Sequence, residues 1–223
     1  MPADPGAALP TFEEIYSAAG DDLESVPWAR LAPHPLLLMW LDGSGPAGAP
    51  AAGARPPPPG RPALVIACGL GDDAEELARR GYEVTAFDSA PTAIAQCRRR
   101  FPRSAVDYQV ADLFRLPGEW QQEFDLVVEI NTIQSLPRPW RPAAIAAIAA
   151  TLAPGGVLFV RCLTGKPVEP AGDRPWPVHR GELDAFTAAG LTQANLIDRA
   201  PVPAQGPWLR VIYRRPAAPG ARD

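Results

Sequence analysis

Val65-Ile66-Ala67-Cys68-Gly69-Leu70-Gly71-Asp72-Asp73 is the stretch that decides the fold of this chain. It joins a short apolar run, Ala63 to Ala67, which predicts a buried strand, to a helical pattern over residues 72–80 that begins with acidic residues. The six residues Gly69 to Ala74 match the pattern G-x-G-x-x-G/A, whose glycines permit a tight turn and a close approach of the backbone to a ligand. This order of strand, glycine loop and helix is typical of the first unit of an α/β sheet that binds a nucleotide cofactor.

Outward from this loop, strand and helix patterns alternate with short loops, which predicts a parallel sheet covered by helices on both faces. The loop before the last strand is too short for a crossover helix, so that strand is expected to run antiparallel. We therefore predict an α/β fold with a doubly wound, seven-stranded, Rossmann-like sheet, an antiparallel last strand and an N-terminal helical lid. The further predicted strands cover residues 82–87, 105–110, 124–130, 157–162, 191–198 and 208–214, and the helices cover 91–101, 142–152 and 180–189.

The chain is predicted to have four parts that differ in composition. Residues 1–42 are expected to form the lid, and residues 63–215 the main domain, followed by a tail over 216–223. Residues 43–62 are rich in Pro, Gly and Ala and include four consecutive prolines. Such a segment forms neither a helix nor a central strand, so it is predicted to be a linker.

Composition limits the classes of partner. The net charge is −4, with 21 basic and 25 acidic residues, so neither nucleic acid nor an anionic membrane is the expected partner. The longest apolar runs, such as Leu36 to Leu41, are too short to span a bilayer, and the N-terminus lacks the pattern of a secretory signal. The three cysteines and two histidines suit neither a disulfide framework nor a zinc site. We expect a cytoplasmic protein, a monomer or homodimer without metal, that acts on a small molecule.

The two aspartates of the loop help to separate the nucleotide cofactors. Asp72 and Asp73 stand where a dinucleotide places its pyrophosphate, at the N-terminus of the helix. Two carboxylates about 5 Å apart repel each other by roughly 3 kcal/mol at an effective dielectric near 20, and such a site also repels phosphate. S-adenosylmethionine (SAM) carries no phosphate but a sulfonium, an ammonium and one carboxylate. The glycine pattern alone fits NAD, FAD or SAM, and the aspartates favour SAM. The alternative is that they only cap the helix, and even then the site suits pyrophosphate poorly.

Acidic residues also follow the next three strands. Asp88 comes 19 positions after Gly69, at a strand end where a carboxylate can accept hydrogen bonds from both ribose hydroxyls. Asp112 is predicted to accept a hydrogen bond from the adenine amino group while Leu113 packs on the ring; the alternative is that Asp112 caps the next turn. Glu129, at the end of the fourth strand, is predicted to contact the cofactor ammonium or a neighbouring loop.

Five successive motifs resemble those of class I SAM-dependent methyltransferases, in the right order and at the right spacing from about Pro62 to Cys162. They are Val65-Ile66-Ala67-Cys68-Gly69-Leu70-Gly71, Val84-Thr85-Ala86-Phe87-Asp88, Ala111-Asp112-Leu113, Phe124-Asp125-Leu126-Val127-Val128-Glu129 and Leu152-Ala153-Pro154-Gly155-Gly156. The chain departs from the family pattern where Ala67 replaces the usual acid and Asp73 the third glycine. Both departures resemble the thiopurine S-methyltransferase-like branch.

The N-terminal part is similar to the same branch. It carries Phe12-Glu13-Glu14-Ile15-Tyr16, Pro27-Trp28-Ala29-Arg30 and Pro33-His34-Pro35-Leu36-Leu37. The resemblance implies that this part folds over the cofactor, with Trp28 near the methionine moiety; the alternative is a core tryptophan. The acid that the branch carries after the tryptophan is Ala29 here. Glu14, Tyr16 and Arg30 are further candidates for lining the lid.

Together these interpretations predict one cofactor site. Its residues are Trp28, Cys68, Gly69, Gly71, Asp73, Asp88, Ser89, Asp112, Leu113, Glu129 and Ile130. Methyl transfer mainly requires that a nucleophile be held about 3 Å from the methyl carbon while water is excluded. His34 and His179 are the candidates for a general base, and Cys162 is expected to be a buried hydrophobe, so no residue is assigned a catalytic role.

The predicted function is methyl transfer to a small molecule. Analogy with the thiopurine branch favours a thiol acceptor, followed by a hydroxyl or a carboxylate. A thiolate acceptor needs no base, whereas a hydroxyl generally does. The alternatives are an NAD-dependent oxidoreductase and a non-catalytic binding protein of the same fold.

Overall fold

The computed structural model describes residues 11–43, 55–165, 174–202 and 206–218. Its centre is a seven-stranded sheet that follows the order β3-β2-β1-β4-β5-β7-β6. The strands are β1 (Pro62–Ile66), β2 (Glu83–Asp88), β3 (Asp107–Val110), β4 (Phe124–Ile130), β5 (Leu152–Leu163), β6 (Thr192–Val202) and β7 (Gly206–Arg214). Strands β1 to β5 are parallel, and β7 runs antiparallel to both of its neighbours.

The predicted fold class is confirmed, including the antiparallel last strand. Three residues separate Val202 from Gly206, so the chain has no room for a crossover and β7 must return beside β6. The position of β7 between β5 and β6 was not predicted. Strand β5 also begins earlier than expected, at Leu152 rather than Val157, with an irregular register beside Phe124.

Helices cover both faces of the sheet, as predicted. On one face, α2, α3 and α4 pack apolar side chains such as Trp40, Leu77 and Ile94 against the strands. On the other, α5 and α6 bury Ile148 and Phe186. The expected helix over 180–189 is a 3₁₀ turn, Arg180–Leu183, followed by the short α6. The helices are α1 (Phe12–Ala19), α2 (Pro35–Leu41), α3 (Asp72–Arg79), α4 (Pro91–Arg100), α5 (Arg141–Thr151) and α6 (Asp184–Ala188).

The N-terminal part contains two helices with different positions. Helix α1 starts with a capping box between Thr11 and Glu14 and lies on α4, where the Glu13 carboxylate accepts hydrogen bonds from the Thr92 N–H at 3.0 Å and the Thr92 hydroxyl at 2.5 Å. Helix α2 instead belongs to the core, with Trp40 5.3 Å from Phe159 between ring centroids. Only the segment before α2 therefore lies over the loop after β1.

The domain boundaries drawn from the sequence stay predictions. Residues 1–10 of the lid, 44–54 of the linker and 219–223 of the tail lie outside the described residues. The end of the linker packs on the main domain, because the Tyr82 hydroxyl donates to the Pro57 carbonyl at 2.6 Å. Within the described ranges, no helix is both long enough and apolar enough to cross a membrane.

Candidate cofactor and acceptor site

A cavity of about 570 Å³ opens at the carboxyl ends of the central strands, beneath the segment that precedes α2. It lies where strand order reverses between β1 and β4, the place at which open α/β sheets bind ligands. The residues that follow these two strands, Ala67 and Asn131, have φ of 46° and 68°. This left-handed conformation is uncommon for residues other than glycine, and both residues line the cavity.

Nine of the predicted cofactor residues line this cavity, and two do not. Those in the wall are Trp28, Cys68, Gly69, Asp73, Asp88, Ser89, Asp112, Leu113 and Ile130. Gly71 and Glu129 lie outside the wall. Tyr16 and Arg30, expected at the lid, also line it. The structure therefore brings one end of the sheet and the lid segment together, whereas contact with a cofactor stays a prediction.

The two glycines of the loop serve different purposes. Gly69 has φ +56°, and a Cβ there would lie 3.0 Å from the Tyr16 hydroxyl, so the lid lies directly on this turn. Gly71 has φ +89°, and its Cβ would lie 2.5 Å from the hydroxyl of Tyr108, a buried core residue. Gly69 therefore permits close approach from the cavity side, whereas Gly71 is required by packing beneath the loop.

Asp88 is buried at the end of β2 and organises the loop. Its Oδ2 accepts a hydrogen bond from the Gly69 N–H and its Oδ1 one from the Ala90 N–H, both at 3.0 Å. Burial raises the pKa of this carboxyl, and these backbone hydrogen bonds oppose the shift. Each carboxylate oxygen has a second lone pair, so Asp88 retains capacity to accept from a ligand in the cavity.

The structure corrects the argument from paired aspartates. Asp72 forms a bidentate ion pair with Arg100, at 2.7 and 2.9 Å, so its charge is compensated within the protein. Asp73 Oδ1 accepts a hydrogen bond from the His34 N–H at 2.7 Å, and burial raises its pKa to about 6. The repulsion of pyrophosphate therefore depends on Asp73 alone and is weaker than the sequence suggested.

Two further candidates have structural partners. Asp112 Oδ1 accepts from the Phe114 N–H at 2.9 Å, which is the turn-capping alternative, although Asp112 also lines the cavity. Glu129 is fully buried, and its Oε1 accepts from the Thr132 and Ile133 N–H groups at 2.7 and 3.1 Å. Glu129 thus holds the loop after β4, and burial raises its pKa to about 7.

The two histidines both cap helical turns. His34 Nδ1 accepts from the Leu36 N–H at 3.2 Å at the start of α2, and burial lowers the His34 pKa to about 3. His34 lines the cavity but is a weak base there. His179 Nδ1 accepts from the Gly181 N–H at 3.2 Å, and His179 does not line the cavity. Neither geometry favours the role of general base.

An aromatic cluster covers the cavity. The Trp28 indole N–H donates to the Tyr16 hydroxyl at 2.8 Å, and the two rings meet edge to face at 5.6 Å. Phe12 lies 5.7 Å from Trp28. Trp28 is 38% exposed, whereas Tyr16 is buried at 3%, so Trp28 is a cavity residue and not the core tryptophan of the alternative interpretation.

Polar residues of the loop after β4 form the opposite wall, and sequence reasoning assigned them no role. They include Asn131 and Gln134, which line the cavity. The Arg161 guanidinium, buried on β5, donates to Asn131 Oδ1. The only available signal was their position directly after a central strand, at the edge where ligand crevices form.

The centre of the chain is similar to known methyltransferases. Residues 63–156 match the model of a family described as a methyltransferase domain. The ubiquinone biosynthesis O-methyltransferase of Xanthomonas campestris pv. campestris (strain B100) is 37% identical over 111 residues, which are 49% of this chain and 46% of the relative. That of Xanthomonas axonopodis pv. citri (strain 306) is 37% identical over 116 residues, 51% of this chain and 48% of the relative. The chain thus spans about half the length of these relatives.

Solved structures share the fold over nearly the whole chain. The N-methyltransferase NodS from Bradyrhizobium japonicum WM9, in complex with S-adenosyl-L-homocysteine, has a TM-score of 0.65 at 23% identity and covers 91% of this chain and 98% of its own. The 1,6-didemethyltoxoflavin-N1-methyltransferase of Burkholderia thailandensis has a TM-score of 0.68 at 18% identity and covers 96% of this chain and 94% of its own. At these identities the likeness shows the fold alone. The family match and the curated relatives agree that residues 63–156 are similar to a methyltransferase domain, and the solved structures share its fold.

Proposed function

We propose that this protein transfers a methyl group from SAM to an oxygen nucleophile of a small molecule. The observation that carries this proposal is one cavity in which the residues predicted for the cofactor face the polar loop after β4. Its volume, about 570 Å³, lies in the range usual for small-molecule sites.

The arrangement of the cavity suits the parts of SAM. We assign Asp88 to the ribose hydroxyls, and Asp112 with Leu113 to the adenine. The carboxylate of Asp73 and the exposed guanidinium of Arg30, both in the wall, complement the ammonium and the carboxylate of the methionine moiety. Opposite charges at this end are what a zwitterionic amino-acid group requires.

SAM, when bound, supplies a methyl group on a positively charged sulfur. The protein contributes position and the exclusion of water: Tyr16 and Trp28 cover the loop after β1, and Asn131 faces them from the loop after β4. Holding the reactants in an attack geometry accounts for much of the acceleration in reactions of this type. The polar side chains of this wall also replace part of the hydration of the nucleophile.

The acceptor atom is the finer part of the proposal. The sequence resemblance to the thiopurine S-methyltransferase-like branch favours sulfur, and nothing in the comparisons supports that narrower branch. The curated relatives are named O-methyltransferases, which favours oxygen. We therefore place a carboxylate or hydroxyl oxygen before a thiol.

Two binding measurements and one activity screen test this function. S-adenosylhomocysteine (SAH) should raise the Tm and bind in calorimetry, whereas NADH should not; preferential stabilisation by NADH would indicate the oxidoreductase alternative. Labelled SAM is then offered with a panel of carboxylic acids, phenols, alcohols and thiols. Binding of SAH without methyl transfer to any member would favour the non-catalytic alternative.

A further inference from the structure

The wall after β4 carries two side-chain amides whose orientation is fixed by their partners. An arginine and a backbone N–H can only donate hydrogen bonds, so the amide atom that faces them must be the oxygen. Arg161 Nη1 donates to Asn131 Oδ1, and the Leu163 N–H donates to Gln134 Oε1. Both amide oxygens are therefore engaged with β5.

The amide nitrogens are the parts left for a ligand. Asn131 Nδ2 and Gln134 Nε2 make no hydrogen bond within the described residues, and neither is among the buried polar atoms that lack a partner there. Both residues line the cavity, and their N–H groups are the donors that remain for a ligand there. Each amide N–H₂ provides two donors and no acceptor.

The positive charge of Arg161 makes the Asn131 N–H groups stronger donors. Arg161 is buried, 7% exposed, behind Asn131, and a charged donor on the amide oxygen polarises the amide, so that its N–H groups become better donors. Asn131 itself is held in a left-handed conformation, φ 68°. Its carbonyl accepts from the Ser135 hydroxyl at 2.8 Å and its N–H donates to the Arg161 carbonyl at 2.9 Å. The donor is therefore rigidly placed.

The Asn131 donors, polarised by Arg161, and the Gln134 donors beside them fit an anionic acceptor group. An alcohol must lose a proton during methylation, whereas a carboxylate reacts as the anion that it already is at neutral pH. His34, the histidine of the same cavity, is occupied by the Leu36 N–H at Nδ1 and does not suit the removal of a proton. The wall thus favours an acceptor that presents oxygen lone pairs and needs no base.

We propose that the acceptor is a carboxylate, which Asn131 Nδ2 and Gln134 Nε2 orient by donating hydrogen bonds to it, and that the product is a methyl ester. This inference rests on the proposed function and specifies its acceptor. A carboxylate oxygen uses one lone pair to form the O–CH₃ bond while the methyl–sulfur bond breaks, and the electron pair of that bond stays on sulfur. The products are the ester and SAH, and no proton is exchanged.

Matched acceptors and two isosteric variants test the inference. The acceptors are pairs such as benzoate with benzyl alcohol and phenylacetate with 2-phenylethanol, and methyl esters are identified by the methanol that alkali releases. N131D and Q134E keep the oxygen that bonds Arg161 or the Leu163 N–H and replace the N–H₂ donor with an anionic oxygen. Gln121→Glu, on an exposed turn, makes the same charge change away from the cavity.

The expected result is methylation of the carboxylate member of a pair in preference to the alcohol. Either variant should lower kcat/KM for the carboxylate by about 30- to 100-fold, the loss that follows from removing a hydrogen bond to a charged group, while its SAH affinity stays within about twofold and its Tm close to wild type. The Gln121 variant should match the wild type in all three measurements.

Three outcomes would overturn the inference. They are methylation of alcohols, phenols or thiols in preference to every carboxylate, SAH binding without methylation of any carboxylate in the panel, and unchanged kcat/KM in both N131D and Q134E. Failure of the wild type to bind SAH would instead overturn the proposed function, so the two failures are distinguishable.

Discussion

Replacing Asp73 with asparagine should stabilise the protein at neutral pH and weaken its cofactor binding. Burial raises the Asp73 pKa from 3.8 to about 6, so the folded state binds this proton more tightly than the unfolded state. Above pH 6 the ionised carboxylate therefore reduces stability, by about 3 kcal/mol at about 1.4 kcal/mol per tenfold change in the equilibrium. As the pH falls through 6 toward 3.8, this loss disappears. The replacing asparagine is not ionisable, and its amide oxygen can still accept from the His34 N–H.

The assay is urea unfolding of the wild type and D73N at pH 8 and pH 4. We expect D73N to be more stable by up to about 3 kcal/mol at pH 8 and by less than about 1 kcal/mol at pH 4. Taking the difference between the two proteins removes the contributions of carboxylates with lowered pKa, such as Glu76, whose stabilisation is lost in acid. Asp107→Asn, an exposed position on β3, is the matched control and should show no such gain.

The binding measurement compares SAH with adenosine, which lacks the amino-acid portion of SAH. D73N should weaken SAH about tenfold, or about 1.4 kcal/mol, because the carboxylate that we propose to pair with the ammonium is lost, and it should leave adenosine unaffected. A gain in stability that is equal at the two pH values would refute the assignment of the shift to Asp73. Equal loss of adenosine and SAH affinity would refute its pairing with the ammonium.

Three other substitutions test contacts around the loop after β1 and helix α1. Asp88→Ala should weaken SAH in calorimetry by about 1–3 kcal/mol, since a charged acceptor is removed; unchanged affinity would contradict the ribose assignment. Gly71→Ala should lower the free energy of unfolding by about 2–4 kcal/mol for two reasons. Its Cβ would lie 2.5 Å from the Tyr108 hydroxyl, and the positive φ of this position is unfavourable for alanine. Gly190→Ala is its control, with φ +88° and nothing within 4 Å, and equal losses would rule out the steric part. Glu13→Ala should cost about 1 kcal/mol through the lost cap on α4 and speed proteolysis around α1; an unaltered cleavage rate would indicate that α1 is held by other contacts.

Local patterns predicted the fold because they are set by neighbours in the sequence. Alternation of apolar runs with helical patterns predicted the doubly wound sheet, and the short connection before β7 predicted its antiparallel direction. These inferences survive without tertiary information, since periodicity decides which face of an element is buried and loop length decides which directions are possible. The predicted ends of the strands were less accurate. Strand β5 begins at Leu152 instead of Val157, because the pairing of Leu152 with Phe124 extends it.

The candidate site was only partly accessible to the same reasoning. Because parallel strands end at the same edge, residues after β1, β2, β3 and β4 were expected to meet, and Cys68, Asp88, Asp112 and Ile130 do line one cavity. The hydrogen-bond donors, acceptors and charge that each polar group keeps free for a ligand depend on partners that are distant in the sequence.

The sequence by itself therefore determined the alternation of strands and helices, the antiparallel direction of the last strand, the loop Val65 to Asp73 and the end of the sheet at which a ligand is expected. The tertiary structure decided that Arg100 compensates Asp72 and that Glu129 holds a loop instead of lining the cavity. It also decided that Arg161 engages the Asn131 amide oxygen, so that only the amide donors are left for a ligand. The physical reason is that strands and turns arise from local spacing, whereas charge compensation and hydrogen-bond orientation arise from contacts that exist only after the chain has folded.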